Sequence, residues 1–443
     1  MEQFGLAFAQ VNRDTVLSSR IKGASMALWR RWRNRLLLIF AVLGPGFITA
    51  NVDNDSGGIL TYSQAGAQYG YKLLWTMIPI TLALIVVQEM CARMGVVTGK
   101  GLSDLIREEF GLRITFVVMI LLVIVNFGNV MAEFSGIAGS MQLFHVSKYI
   151  SVPVCAFIVW ILIVKGDYKS VEKVFLIASV VYIAYIFAGV LSGPNWHEAI
   201  VQTVKLPGRS VWHDRNYVYM TIGIIGTTIT PWMQFYLQSS IVEKGIEVRQ
   251  YKHSRIDVIV GSIFTDVVAW FIIVACAATL YTHGMRNIGE ASDAADAMKP
   301  LAGQYAFILF AAGLFNASLF AACILPLSTA YTVCEGLGLE SGLDKGFKEA
   351  RFFYWFYTLL LALGAAVVLI PNFPLIRVII GSQVLNGVLL PVVLIFMLRL
   401  INRQELMGKY TNSRWFNAIA WLTAGIVICL SLVLMWNGLH GGI

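Results

Sequence analysis

Residues 44–58 read Gly44-Pro45-Gly46-Phe47-Ile48-Thr49-Ala50-Asn51-Val52-Asp53-Asn54-Asp55-Ser56-Gly57-Gly58, and they interrupt the first long apolar stretch of the chain. A helix that only anchors has no use for two carboxylates, two amides and several helix-breaking glycines at bilayer depth. In hydrocarbon every unsatisfied polar group is costly, and ionisable residues there face a cavity or a bound charge. The interruption therefore predicts a broken membrane helix built around a site.

The rest of the chain supplies the setting. Of 443 residues, 58% are hydrophobic and 13% charged, and a mean hydropathy of +0.71 excludes an ordinary soluble domain. Apolar stretches of about 20 residues predict eleven spans, at 36–69, 71–97, 114–144, 148–165, 171–193, 217–242, 257–282, 303–335, 352–371, 373–398 and 415–437. Arg30, Arg31, Arg33 and Arg35 precede the first span without a signal-peptide pattern, so 1–35 reads as a basic cytoplasmic segment. That orientation puts 25 of the 33 Lys and Arg on inner loops and 8 on outer ones, as the positive-inside rule expects. The net charge of +8 is thereby assigned to cytoplasmic loops, and nucleic acid is not expected as a partner.

Cys91, Cys155, Cys276, Cys323, Cys334 and Cys429 lie in apolar segments without C-x-x-C spacing and read as small hydrophobes of a bundle. The histidines, His145, His197, His213, His253, His283 and His440, are all expected in loops or tails. None is placed to relay protons through the membrane.

Span six carries a second irregularity, Gly223-Ile224-Ile225-Gly226-Thr227-Thr228-Ile229-Thr230-Pro231-Trp232. A proline can merely kink a helix, and threonines can bond back to it. Two interrupted helices five spans apart, however, point to a transporter made of two five-helix inverted repeats, with its substrate where the broken helices meet. The repeats are expected at 36–193 and 217–400, with 415–437 an additional eleventh helix. Unwound carbonyls beside Asp55 would then hold a cation.

These residues resemble a known family. Leu43-Gly44-Pro45-Gly46-Phe47, Asp55-Ser56-Gly57-Gly58 and Gln64-Ala65-Gly66-Ala67-Gln68-Tyr69-Gly70-Tyr71 are similar to the G-P-G-F approach, D-P-G-N motif and Q-A-G-A-Q-F-G-Y exit of the Nramp divalent-metal transporters. Gly223-Ile224-Ile225-Gly226 with Thr230-Pro231-Trp232-Met233 resembles that family's G-I-I-G-A-x-V-M-P-H-N, Ala132-Glu133 its A-E-V-I-G, and Ser382-Gln383-Val384-Leu385 with Pro391 its S-Q-x-x-L segment. The resemblance implies an all-α polytopic membrane protein of LeuT-type fold, five plus five inverted helices with helices one and six broken. It implies a monomer of the inner (plasma) membrane that moves divalent ions as cargo, with no cofactor and no enzymatic activity.

The departures define the expected cargo. Most family members bind manganese or iron through the Asp and Asn of D-P-G-N and the Met of M-P-H. Here Asp55 is kept, while Gly58 and Thr230 stand at the Asn and Met positions. The resulting site, Asp55, Gly58, Gly223, Gly226 and Thr230, is all-oxygen and roomy, which suits hydrated Mg2+ over softer metals, with Mn2+ as a second cargo and Ca2+ harder to exclude. Gly223 and Gly226 are expected to let the chain unwind around the ion. Asp53, Asn54, Thr228, Gln383 and Asn386 are candidates for an outer shell, the last two by interhelical hydrogen bonding equally well. The proton-coupling positions of the family hold Val130 and Trp232, neither of which titrates. Glu133 remains as a proton-relay group or a hydrogen-bonded structural one, and Asp266 in span seven as a structural or cavity-lining acid.

These substitutions resemble the prokaryotic Nramp-related magnesium transporters, implying uniport without proton coupling. The alternatives are a proton-coupled manganese or iron transporter of the same family and a cation-coupled organic-solute carrier on the same scaffold. The second meets an objection, since Asp53 and Asp55 at the break would repel a substrate carboxylate. A membrane enzyme or metal sensor would need a nucleophile and base, a haem-type His pair or a soluble domain, and none is visible.

Overall fold

The computed structural model describes residues 43–439 except 209, 210, 212, 290 and 372–374, and the elements below belong to the unit beginning at Gly44. They are helical throughout. In chain order they are α1 (Pro45–Val52), α2 (Ser56–Tyr69), a 3-10 segment (Gly70–Thr76), α3 (Met77–Thr98), α4 (Leu102–Phe110), α5 (Leu112–Gln142), α6 (Lys148–Lys165), α7 (Tyr168–Val181) and α8 (Ile183–Leu191). There follow α9 (Trp196–Val204), α10 (Arg215–Thr228), α11 (Pro231–Glu243), α12 (Tyr251–Cys276), α13 (Ala291–Leu337), α14 (Arg351–Leu369), α15 (Leu375–Ile401), α16 (Gln404–Met407) and α17 (Arg414–Leu439).

Among the described residues seven helical stretches are long and apolar enough to cross a bilayer, one of them joining α2, the 3-10 segment and α3 from Ser56 to Thr98. Span one is the pair α1 and α2, and span six the pair α10 and α11. Both break in mid-course, so the two irregular sequences do produce two discontinuous helices. The breaks are narrower than the sequence suggests. Pro45 takes the first position of α1, where its missing N–H is harmless, so Gly44 to Val52 opens a helix and only Asp53 to Asp55 is irregular. Span five is made of α7 and α8, joined through Tyr182 in helical conformation. α13 begins at Ala291, ahead of span eight, and the kink at Gly303 (φ 86°) marks the start of the span itself, where it was forecast.

Burial is arranged for lipid. Leu82, Val117, Phe157 and Ile177 are exposed on the bundle's surface, while Asn51, Asp53, Asn126, Glu133, Gln238 and Asp266 are buried within it. Five of the cysteines are buried as expected, whereas Cys429 is exposed on α17. His253 lies in the first turn of α12 rather than in a loop.

α12 packs along both halves of span one. Its Gly261 lies against α1, where a methyl would stand 2.6 Å from Phe47 Cα. Gly66 of α2 lies against the far end of α12, where a methyl would stand 2.4 Å from Ile273 O. Small residues at such crossings let membrane helices touch backbone to backbone. At the start of α1, the Asp257 carboxylate of α12 accepts from Gly44 N (2.7 Å), Gly46 N (2.8 Å) and Phe47 N (3.1 Å), satisfying three otherwise orphaned N–H groups.

Candidate cation site

The turn between α1 and α2 is shaped by its own backbone. Asp53 N donates to Ala50 O (3.3 Å) and Asn54 N to Asn51 O (3.2 Å), closing α1. Asn54 then fastens the turn to α12, its Nδ2 donating to Thr265 O (3.0 Å) and Thr265 Oγ1 (2.7 Å). Asp55 caps α2, its Oδ1 accepting from Gly58 N at 2.7 Å. Glu133 of α5 adds a second acceptor at the same helix end, its Oε2 accepting from Ser56 N at 3.2 Å. Two carboxylates thus converge on the positive end of the α2 dipole.

Asp53 is not part of that cap and contacts the start of α11 instead. Its Oδ1 accepts from Thr230 Oγ1 at 3.5 Å, and Thr230 is the residue that caps α11 ahead of Pro231. Asp266 follows Thr265 on α12 and lies within charge–charge reach of Asp53. Asp53 Oδ2 and both Asp266 oxygens have no hydrogen-bond partner among the described residues. Asp53, Asp55 and Asp266 are 2%, 7% and 4% exposed. Tyr62 of α2 stands beside the group, its hydroxyl 2.7 Å from Thr228 Oγ1. Because Thr228 donates to Ile224 O (2.8 Å), the phenol is the donor in that pair.

Two expectations change, and Glu133 shows the hydrogen-bonded arrangement that was one of its two anticipated roles. Gly223 and Gly226 stay within α10, and the extended backbone between the half-helices is confined to Ile229 and Thr230. A mid-membrane helix keeps its bonds because no water replaces them. Gly226 nevertheless faces open space, with no atom within 4 Å of a methyl placed there. Thr228 is held by Ile224 O and Tyr62, so its hydroxyl is already engaged. Glu133 is a hydrogen-bonded helix cap, although its Oε1 has no partner among the described residues.

The donors around the breaks are oxygens: carboxylates of Asp53, Asp55 and Asp266, and the Thr230 hydroxyl. Met233, three residues beyond Thr230, turns its sulfur toward Gln88 Nε2 (4.0 Å) of α3. Among the described residues no three His, Cys, Asp or Glu side chains come close enough together to enclose a bare ion. A cation here would keep part of its water shell.

A funnel of about 750 Å³ leads from one face of the bundle between α2 and α10, past Gln64, Tyr69, Tyr219 and Arg286, to Thr61 and Gly223. Gly223 is seven residues before Thr230, about 10 Å along the helix. Toward the other end of α3, side-chain bonds tie neighbouring helices together. Tyr251 donates to Glu89, which pairs with Arg93 at 3.0 Å, and Arg93 reaches Tyr410 O (3.0 Å) and Asn412 Oδ1 (2.5 Å). Nearby, Ser239 of α11 donates to Glu335 Oε1 (2.5 Å) and Arg107 of α4 to Glu335 O (2.6 Å).

The profile of the family described as Natural resistance-associated macrophage protein-like matches residues 46–437. The chain belongs to the Nramp family. Similar relatives include the divalent metal cation transporter MntH of Deinococcus radiodurans, 27% identical, the match covering 91% of each chain. MntH of Ralstonia nicotianae is 28% identical over 94% of this chain and 93% of its own. Among solved structures, the manganese transporter of Eremococcus coleocola superposes with a TM-score of 0.71 at 21% identity, covering 88% of this Nramp chain and 85% of that one. The likeness carries the LeuT-type fold.

The remaining motif positions of this Nramp chain are placed as follows. Trp232 is fully buried at the start of α11, its carbonyl accepting from Ser328 Oγ at 3.0 Å. Val130 packs against α14, its Cγ1 2.5 Å from where a methyl on Gly364 would be. Asn386 Nδ2 donates to Asn129 Oδ1 of α5 at 3.2 Å, the interhelical bonding anticipated as one of its two roles. Gln383 lies outside the residues whose side chains are described. Sequence reading missed Asp257 and the Asn54–Thr265 clamp, and it saw Asp266 without a partner. The two carboxylates of span seven, Asp257 and Asp266, amid its apolar run were the available signal.

Proposed function

We propose that this Nramp chain is a uniporter for Mg2+, with Mn2+ as a second cargo, working by alternating access without proton coupling. Divalent-metal transport is the business of the family, and the relatives named above are described as divalent metal cation transporters and a manganese transporter. The observation that carries the finer reading is the oxygen-only donor set at the two breaks. Asp55 and Thr230 offer no thioether, and the sulfur of Met233, three residues beyond Thr230, lies 4.0 Å from Gln88 of α3. Mg2+ keeps several waters and binds through one or two carboxylates, whereas a soft ligand would favour manganese or iron.

Asp55 and Thr230 form the centre of the proposed site, Gly226 leaves room for water, and the funnel past Gly223 supplies the approach. With the N-terminus cytoplasmic, that funnel opens outward. An inside-negative potential contributes about 2.3 kcal/mol per charge per 100 mV, so about 4.6 kcal/mol for a divalent ion, enough to drive uptake without a proton.

Proteoliposomes under an imposed potential, with a magnesium dye or a pH dye inside, test this. Magnesium influx without acidification is expected, and Asp55→Ala abolishes it. A second reading, proton-coupled manganese transport, is favoured by the unpartnered Oε1 of Glu133 beside Asp55. It predicts metal-driven acidification that Glu133→Gln removes, and that result would displace the uniport reading.

A further inference from the structure

Asp55 and Glu133 are already engaged by the α2 N-terminus, yet Asp53 and Asp266 are not engaged by anything comparable. The charged groups within reach of Asp53 are Asp55 and Asp266, both acidic, and its one hydrogen-bonding neighbour is Thr230 at 3.5 Å. Thr81 stands beside Asp266, but the Thr81 hydroxyl gives its proton to Met77 O at 2.6 Å. Three of the four carboxylate oxygens lack a partner among the described residues, and both side chains are more than nine-tenths buried. Buried charges are paired or hold a cation, because desolvating each without compensation costs several kcal/mol.

The arrangement is also fixed by the fold. Asn54 and Thr265 clamp the span-one turn to α12 one residue away from each acid, so Asp53 and Asp266 are brought together by two hydrogen bonds that neither makes. Resting on the transport reading above, we propose that Asp53 and Asp266 form a second station for a hard divalent cation, separate from Asp55. Two carboxylates balance a doubly charged ion, and water completes its shell as Mg2+ prefers. Thr230, hydrogen-bonded to Asp53 and placed between the half-helices, links the two stations.

The test uses the full chain in nanodiscs, titrated with magnesium chloride against choline chloride at equal ionic strength, read by calorimetry and by melting temperature. Asp55→Ala stops transport but keeps a magnesium-dependent rise in melting temperature. Asp266→Asn, an isosteric change, raises the melting temperature without metal, because an uncompensated charge has gone. The same variant weakens magnesium affinity by on the order of tenfold to a hundredfold, the range seen when a supporting ligand is lost. A purely structural Asp266 would not move those two readouts in opposite directions. Loss of the magnesium response in folded Asp55→Ala, or wild-type affinity in Asp266→Asn, overturns the second station. Undiminished flux in Asp55→Ala would instead fault the transport site, so the two failures are distinguishable.

Discussion

Replacing Asp257 by alanine removes the acceptor for Gly44, Gly46 and Phe47 N–H at a stroke. Each buried donor left without a partner costs about 1–3 kcal/mol. Part of that is returned, since the buried carboxylate itself disappears, and the balance for breaking such a network is about 3–5 kcal/mol. Asparagine separates the contributions. Its single oxygen, placed at the Oδ1 position, keeps Gly44 and Phe47, and its NH2 then confronts Gly46 N–H, a loss of about 1–3 kcal/mol.

The loss should be local to α1, because α2 has its own cap in Asp55. Hydrogen exchange followed by mass spectrometry in nanodiscs reads it directly, since local opening sets the rate. At about 1.4 kcal/mol per tenfold, amides 48–52 should exchange more than a hundredfold faster in Asp257→Ala. The increase in Asp257→Asn should be near tenfold. Peptides from α14 should be unchanged. Equal protection of α1 in folded Asp257→Ala and wild type would refute the argument that this carboxylate holds the helix start.

Thr230→Met puts a thioether at the break and should move the magnesium-to-manganese preference toward manganese by about tenfold or more, measured by competitive uptake into proteoliposomes. Gly66→Ala drives a methyl into Ile273 O at 2.4 Å and Cys276 Cβ at 2.8 Å, an overpacking cost of about 1–3 kcal/mol that a thermal melt in detergent would register. Gly226→Ala meets no atom within 4 Å and, as a better helix former by about 1 kcal/mol, should melt no lower than wild type. If Gly226 flanks the proposed site, the variant should still slow magnesium uptake, because the added methyl would take space from the hydrated ion.

The two broken helices were legible because polar residues in a long apolar run are locally visible: Asp53 to Gly58 and Thr227 to Pro231 need no knowledge of their neighbours. Their exact extent was not. Pro45 looks like a breaker but starts a helix, and Gly223 and Gly226 look like an unwound turn but keep their helical bonds. The family was legible from ordered motifs such as Gln64 to Tyr71. What stayed hidden were the pairings made across two hundred residues, Asn54 with Thr265 and the start of α1 with Asp257. Periodicity and composition report which face is buried, not which side chain waits on the other helix. Asp266 is the clearest case, since its solitude in sequence concealed its proximity to Asp53.

The attachment of α12 bears on how the protein moves. Asp257, Gly261, the Asn54–Thr265 clamp and the Gly66–Ile273 contact grip span one on both sides of its break within about twenty residues. A discontinuous helix invites the picture of a loose hinge, but a joint splinted along its whole length behaves as a rigid elbow. Bending it would mean shearing backbone-tight crossings, so the stroke that exposes the ion to the other face should swing span one and α12 as one lever, or first peel off the short arm at Asp257.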